Sequence, residues 1–324
     1  MKRLVQISCQ IALSAICFLP PQPPAVEAQS KQTAGLNANM GIRSEMLVST
    51  DWLAKHINDR NVFVIHVAAD RKHFDDGHLP GARFLSSKEI LTTRNGVVNE
   101  LPAVADLQKV FEQLGVGDEG RIVIYGENPG LMAARVYFTL DYLGHGGRAA
   151  LLDGGIEKWK AEKLLVEAQP VKTEPARFTP RPRPQIVVKL DAMRDLSWVA
   201  ANVTGAGVSI VDARPGEQYA GNQNQRSGHI PGAANIYWLP NLVSRENPVM
   251  KPPSELSKLY EAAGLKAAVS VVTYCNTGMQ ASHTYFTLKY LGYDVMMYDA
   301  SFSEWSKAEG APVATGREKA GEKK

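Results

Sequence analysis

The sequence predicts an α/β protein built by tandem duplication: two copies of one domain, each a mainly parallel sheet flanked by helices. Two observations carry this. Four blocks of similar sequence recur in the same order, and within each copy short β-rich runs alternate with helical stretches. GHLPGA at 77–82 returns as GHIPGA at 228–233, 151 residues later. The stretch 107–126, ending in RIVIYG, answers 256–275, ending in VSVVTYC, at an offset of 149. Tyr137-Phe138-Thr139-Leu140 returns as Tyr285-Phe286-Thr287-Leu288 at 148, and DGGIEKW at 153–159 answers DASFSEW at 299–305 at 146. The drifting offsets are differences in loop length.

Each element follows from its pattern. The apolar, β-branched runs 62–67, 121–125 and 149–152, and their counterparts 208–211, 269–274 and 295–298, read as strands. Between them 103–114 and 133–143, and in the second copy 253–263 and 281–291, read as helices that end near glycine. Strands alternating with helices imply parallel pairing covered on both faces. The boundaries expected are a first domain over 45–167, a linker over 168–185 and a second domain over 186–311. The linker carries Pro170, Pro175, Pro180, Pro182 and Pro184, which favour an extended, semi-rigid path. A charged, disordered tail is expected over 312–324.

At 324 residues the chain is too long for one typical domain, and 44% hydrophobic residues suffice for two cores. The formal charge of +3 is small and lies partly in the terminal extensions, with no basic stripe, so nucleic acid is excluded as a partner. The first 28 residues read as a signal peptide: Lys2 and Arg3, an apolar run over 11–19, then Val26-Glu27-Ala28 as a small-residue cleavage pattern. The run is too short for a stable span in the mature form, although an uncleaved anchor is the alternative. Residues 29–44 read as a disordered spacer, and the expected destination is the periplasm or the exterior.

Cleavage would remove Cys9 and Cys17 and leave Cys275 as the one thiol, with no disulfide available. A lone cysteine is either a core residue or a working one, and its neighbours decide. Cys275 directly follows a strand and opens Cys275-Asn276-Thr277-Gly278-Met279-Gln280, after which Ala281 and Ser282 begin a helix. Loop N–H groups and the helix N-terminus both favour a thiolate there, and Gly278 supplies the backbone freedom of a tight cradle.

The Cys-x-x-Gly loop, the GHIPGA turn, Glu304-Trp305 and the duplication together resemble the tandem rhodaneses, the thiosulfate and 3-mercaptopyruvate sulfurtransferases. The resemblance covers about 46–311. It implies two rhodanese-like domains with the site at their interface, an inactive first copy, and Cys275 as the catalytic nucleophile carrying a persulfide. Gly126 stands where the first copy would need its cysteine, in accord with that. Arg135 matches the family's interdomain arginine, expected to hold an anionic donor, with Asn276, Thr277, Gly278, Met279 and Gln280 lining the site. A relay of His78 and Asp70 with Thr277 is the alternative use of those residues, against a role for His78 in pinning its turn.

The chemistry implied is ping-pong transfer from a small anionic sulfur donor to cyanide or a thiol acceptor, which could be a protein thiol, with neither metal nor organic cofactor. The phosphatases and arsenate reductases of this fold need an arginine six residues after the cysteine, and Ala281 stands there. A persulfide carrier or binding module that turns nothing over remains a rival. The uncharged loop points towards mercaptopyruvate as donor. The expected compartment points towards thiosulfate, which is the preferred reading.

Overall fold

In the computed structural model, residues 41–316 are described, apart from 128, 170, 222–226 and 267–268. The signal peptide and most of the spacer therefore lie outside the described residues. The first domain holds β1 (Leu47–Val48), α1 (Thr50–His56), β2 (Val62–Ala68), α2 (Lys72–Asp75), β3 (Arg83–Ser86), β4 (Thr92–Arg94), β5 (Val97–Glu100), α3 (Val104–Gln113), β6 (Arg121–Gly126), α4 (Leu131–Tyr142), β7 (Ala149–Leu152) and α5 (Gly155–Ala161). The second repeats it with β8 (Val187–Val188), α6 (Leu190–Asn202), β9 (Val208–Asp212), α7 (Gly216–Ala220), β10 (Ala233–Asn235), α8 (Pro253–Ala262), β11 (Ser270–Tyr274), α9 (Met279–Tyr290), β12 (Asp294–Tyr298) and α10 (Ser301–Trp305).

The sheets run β1-β7-β6-β2-β3 and β8-β12-β11-β9-β10, the same order in both copies, and every pairing in them is parallel. The central strands are buried along nearly their whole length, so their sequences run apolar without alternating, as a sheet covered on both faces requires. A hairpin, β4–β5, is inserted in the first copy and turns at Asn95-Gly96, both at positive φ.

The Gly-His-x-Pro-Gly turns do structural work in both copies. His78 Nδ1 bonds the Phe74 carbonyl at 2.8 Å and the ring stacks on Phe74, while His229 Nδ1 bonds the Tyr219 carbonyl and stacks on Tyr219. Each turn also bridges the strand-like segment that follows its domain, His78 with Glu167 and His229 with Ala314. The second bridge corrects the expected tail. Residues 312–316 are ordered because Pro312 accepts from Trp305 Nε1 and the Gly316 N–H bonds the Ala220 carbonyl, as Leu165 accepts from Trp159 in the first copy. The spacer's end is likewise held, with the Arg43 N–H on the Tyr290 carbonyl. The proline linker lies on the first domain: Phe178 is buried against Phe111, and Thr179 donates twice to Asp118.

The two domains join through α4 and α9. Neither helix has a polar face: almost every residue from Ala133 to Asp141 and from Ala281 to Tyr290 is buried. Their aromatics interlock edge to face, Tyr137 with Phe286 at 4.9 Å and Phe138 with Tyr285 at 5.0 Å. One hydrophobic cluster runs from Ile65 and Ile124 through to Val271 and Met297, so the interface is core. Buried Asp141 is satisfied within it by Arg183, Lys289 and the Tyr285 hydroxyl. This joint sets the N-terminus of α9 and the start of α4 beside one another.

Candidate active site

Cys275 stands one residue beyond β11, at the carboxyl end of the second sheet. Its loop is shorter than the sequence suggested. Gly278 caps the helix in a left-handed conformation (φ 82°) and α9 starts at Met279, so Met279 and Gln280 form the helix's first turn. Only glycine suits position 278, since a Cβ there would sit 2.9 Å from the Asp299 carbonyl oxygen and 3.2 Å from Arg135 Nη1. The loop is tied to the start of α10: Phe302 N–H donates to the Cys275 carbonyl and Ser303 N–H to the Asn276 carbonyl, both at 3.0 Å. The Cys275 N–H donates to Ser301 Oγ at 3.2 Å, and that hydroxyl donates to the Tyr298 carbonyl. Ser301 holds φ 56°, where the first copy uses Gly155 at φ 58°, so the strain of a side chain in this region is retained together with a hydroxyl that anchors the cysteine.

The N–H groups of Thr277, Gln280 and Ala281 point at the sulfur, which is the cradle the sequence implied. The thiol itself departs from expectation. Cys275 is 2% exposed, and burial outweighs the three N–H bonds and pushes its pKa up. Asp212 adds to the rise, and Arg214 offers no relief because its guanidinium is committed to Asp212, to the Gly228 carbonyl at 2.7 Å and to the face of Phe302. A raised pKa leaves the thiol protonated at neutral pH. The resting protein should therefore be alkylated by iodoacetamide more slowly than an unfolded control at pH 7. Its rate should climb through pH values at which the control has levelled, and coincident profiles would refute the burial argument.

Arg135 does reach from α4 to this loop, yet both of its terminal nitrogens are already engaged within the protein, and only Nε is without a partner. It is fully buried; Nη1 donates to Asp299 Oδ1 at 2.5 Å and Nη2 to the Asn99 carbonyl at 2.7 Å. Asp299 Oδ2 accepts the Leu101 N–H at 2.8 Å. Arg135 therefore joins the two domains beneath Gly278, a correction to the substrate-holding role. The relay is not assembled either. His78 is buried in its turn against Phe74, and exposed Asp70 accepts from the Lys72 N–H. The partner of Thr277 is Asn99, whose Nδ2 donates to Thr277 Oγ1 at 3.1 Å.

Asn99, Asp299 and Ser301 are the site residues that sequence reading missed. The last two lie inside a repeated block: Asp299 is shared with Asp153 of the first copy, and Ser301 stands where the first copy has Gly155. For Asn99 the available signal is the Asn95-Gly96 dipeptide, a hairpin turn pattern that the sequence analysis did not use and that does not tell where the hairpin lands. Asn276 is exposed and Thr277 half-buried, so the thiol is approached past these side chains and Asn99. The larger cavity between the domains, about 170 Å³, is lined by Glu100, Leu101, Lys189 and Asp299 and not by the thiol loop.

The first copy shows what a relict of this site looks like. At Gly126 a Cβ would meet the Val67 carbonyl oxygen at 2.8 Å, so even the cysteine's first carbon has no room. His283 replaces Arg135 across the interface; burial lowers its pKa to about 4, which leaves it neutral. Asp153, counterpart of Asp299, accepts the Met250 N–H and has its pKa raised by burial. Among the described residues no group of His, Cys, Asp or Glu is arranged to hold a metal, and no helix is long and apolar enough to cross a membrane.

The family model for the rhodanese-like domain matches residues 49–162 and 195–308. The Thermus thermophilus "Sulfur carrier protein TtuD" is 33% identical over 85% of this chain and 98% of its own. A Mycobacterium bovis protein named "Putative thiosulfate sulfurtransferase 1" is 31% identical over 85% and 99%. Among solved structures, the 3-mercaptopyruvate sulfotransferase SseA of Escherichia coli superposes with a TM-score of 0.68 at 27% identity, covering 78% of this chain and 97% of that one. The anaerobic ergothioneine biosynthesis enzyme of Chlorobium limicola shares the fold, with a TM-score of 0.73 at 21% identity over 84% and 70%.

Proposed function

The chain belongs to the rhodanese family as a tandem of two such domains and is a sulfurtransferase, and we propose that it takes the outer sulfur of thiosulfate onto Cys275 and passes it to cyanide or a thiol. The observation that carries this reading is the arrangement at Cys275: a free thiol at a strand end, with three N–H groups aimed at its sulfur. In the first half-reaction the thiol gives up its proton to solvent and the thiolate attacks the sulfane sulfur. A new S–S bond forms, the donor's S–S bond breaks, and sulfite departs with the electron pair. The N–H groups that met the thiol then stabilise the terminal sulfur of the persulfide. In the second half-reaction an acceptor nucleophile attacks that sulfur and the thiolate leaves. Arg135 and Asp299 neutralise one another, so the donor's oxyanion meets N–H groups and the hydroxyl of Thr277 instead of a bare cation.

Thiosulfate is favoured over mercaptopyruvate by the names of the relatives of about 31% identity, and by the expected export of the chain. Sulfite release from thiosulfate and pyruvate release from 3-mercaptopyruvate, measured with one acceptor, test the assignment. A higher kcat/KM for mercaptopyruvate would overturn the donor, and activity with neither would overturn the enzyme reading. A second reading, delivery of the persulfide sulfur to a protein thiol, is favoured by the carrier named among the relatives. It predicts single turnover with thiosulfate and poor turnover with cyanide.

A further inference from the structure

We propose that Asn99, contributed by the first domain, is a positioning residue that turns the Thr277 hydroxyl into a hydrogen-bond donor aimed at the reacting sulfur. The inference rests on the sulfur-transfer reading and names a residue that the family resemblance did not supply.

Three observations converge on Asn99. It occupies the left-handed region (φ 65°), which asparagine tolerates better than most side chains, at the penultimate position of β5, with the amide facing the second domain. Its Nδ2 donates to Thr277 Oγ1 at 3.1 Å across the domain boundary. Its own carbonyl accepts from Arg135 Nη2 at 2.7 Å, so the backbone carrying the amide is fixed by the same arginine that backs Gly278. The hairpin is further held by Val97, buried within a core cluster whose other members belong to the second domain, and by Lys307 Nζ, which donates to the Gly96 carbonyl.

The chemistry follows from hydrogen-bond valence. A hydroxyl has one proton and two lone pairs. With a lone pair of Thr277 Oγ1 taken by the amide, the O–H must find its acceptor elsewhere, and among the described residues it has none. The Thr277 N–H already points at Cys275 Sγ. A hydroxyl on that same residue, half-buried at the approach to the thiol, is placed to donate to the donor's oxyanion or to the nascent persulfide. Without the amide it would rotate freely and bond water.

Single-turnover sulfite release from thiosulfate tests this, with donor concentration varied so that the limiting rate and half-saturation separate. Asn99→Gly keeps the left-handed backbone and the carbonyl to Arg135 but removes the amide. It should slow the limiting rate by roughly three- to tenfold, the value of one hydrogen bond, with Tm and iodoacetamide alkylation of Cys275 unchanged. Asn99→Asp should be slower still, since a carboxylate would accept the Thr277 proton and turn the hydroxyl away. In a Thr277→Val background, Asn99→Gly should cost nothing further. Additive losses in that cycle, or an Asn99→Asp rate equal to wild type, would overturn the assignment. Absence of sulfite release from the wild-type protein is a different failure: it would remove the functional reading itself, and the role of Asn99 with it.

Discussion

Replacing Cys275 with serine is expected to abolish sulfur transfer while leaving the fold in place. The loop does not depend on the sulfur. Its backbone is held by Ser301, Phe302 and Ser303, and its turn by Gly278, none of which the substitution touches. A serine hydroxyl fits the same 2%-exposed pocket and can accept from the N–H groups that faced the thiol, so the stability change should stay within about 1 kcal/mol. Oxygen, however, neither ionises in that pocket nor forms a stable bond to sulfane sulfur. Treating the wild type with thiosulfate should add one sulfur atom to the peptide containing Cys275, read by mass spectrometry, and the variant should gain none. Turnover by the variant at the wild-type rate would sink the assignment of Cys275. A collapse in Tm would instead show the thiol to be a packing residue, the role burial alone would suggest.

Much of this was legible because it is local or repeated. Strands such as Val62–Ala68 announce themselves by apolar runs, and the duplication made each copy a check on the other. The same comparison exposed Gly126 as the empty counterpart of Cys275. What sequence missed is non-local. Asn99 and Thr277 lie 178 residues apart, and Arg135 and Asp299 lie 164 apart. No pattern around either partner announces the other. The protonation preference of Cys275 is hidden for a related reason: loop and helix geometry can be read locally, whereas burial is the sum of what two domains place around one atom. The order of 312–316 is hidden because Pro312-Val313-Ala314-Thr315-Gly316 runs straight into the charged residues from 317 onward, although the first copy ends in an equivalent bridge at Glu167.

Arg135→Ala is expected to weaken the protein more than it weakens anion selectivity, which separates the role seen in the structure from the one the family resemblance implied. The side chain is fully buried and its partner Asp299 is 4% exposed, so the substitution strands a carboxylate inside the interface. Breaking a buried pair from one side costs about 3–5 kcal/mol, which for domains of this size lowers Tm by on the order of 10 °C. Part of that loss should return in the double variant Arg135→Ala, Asp299→Asn, because the neutral amide removes the stranded charge. Sulfite release should fall in the single variant as well, since Gly278 loses the group that backs it. The fall should not depend on the charge of the attacking reagent: iodoacetate and iodoacetamide should change in rate at Cys275 by the same factor. If iodoacetate alone slowed, by tenfold or more at unchanged Tm, Arg135 would be an anion receptor after all. Its ion pair with Asp299 would then be a contact that the donor displaces.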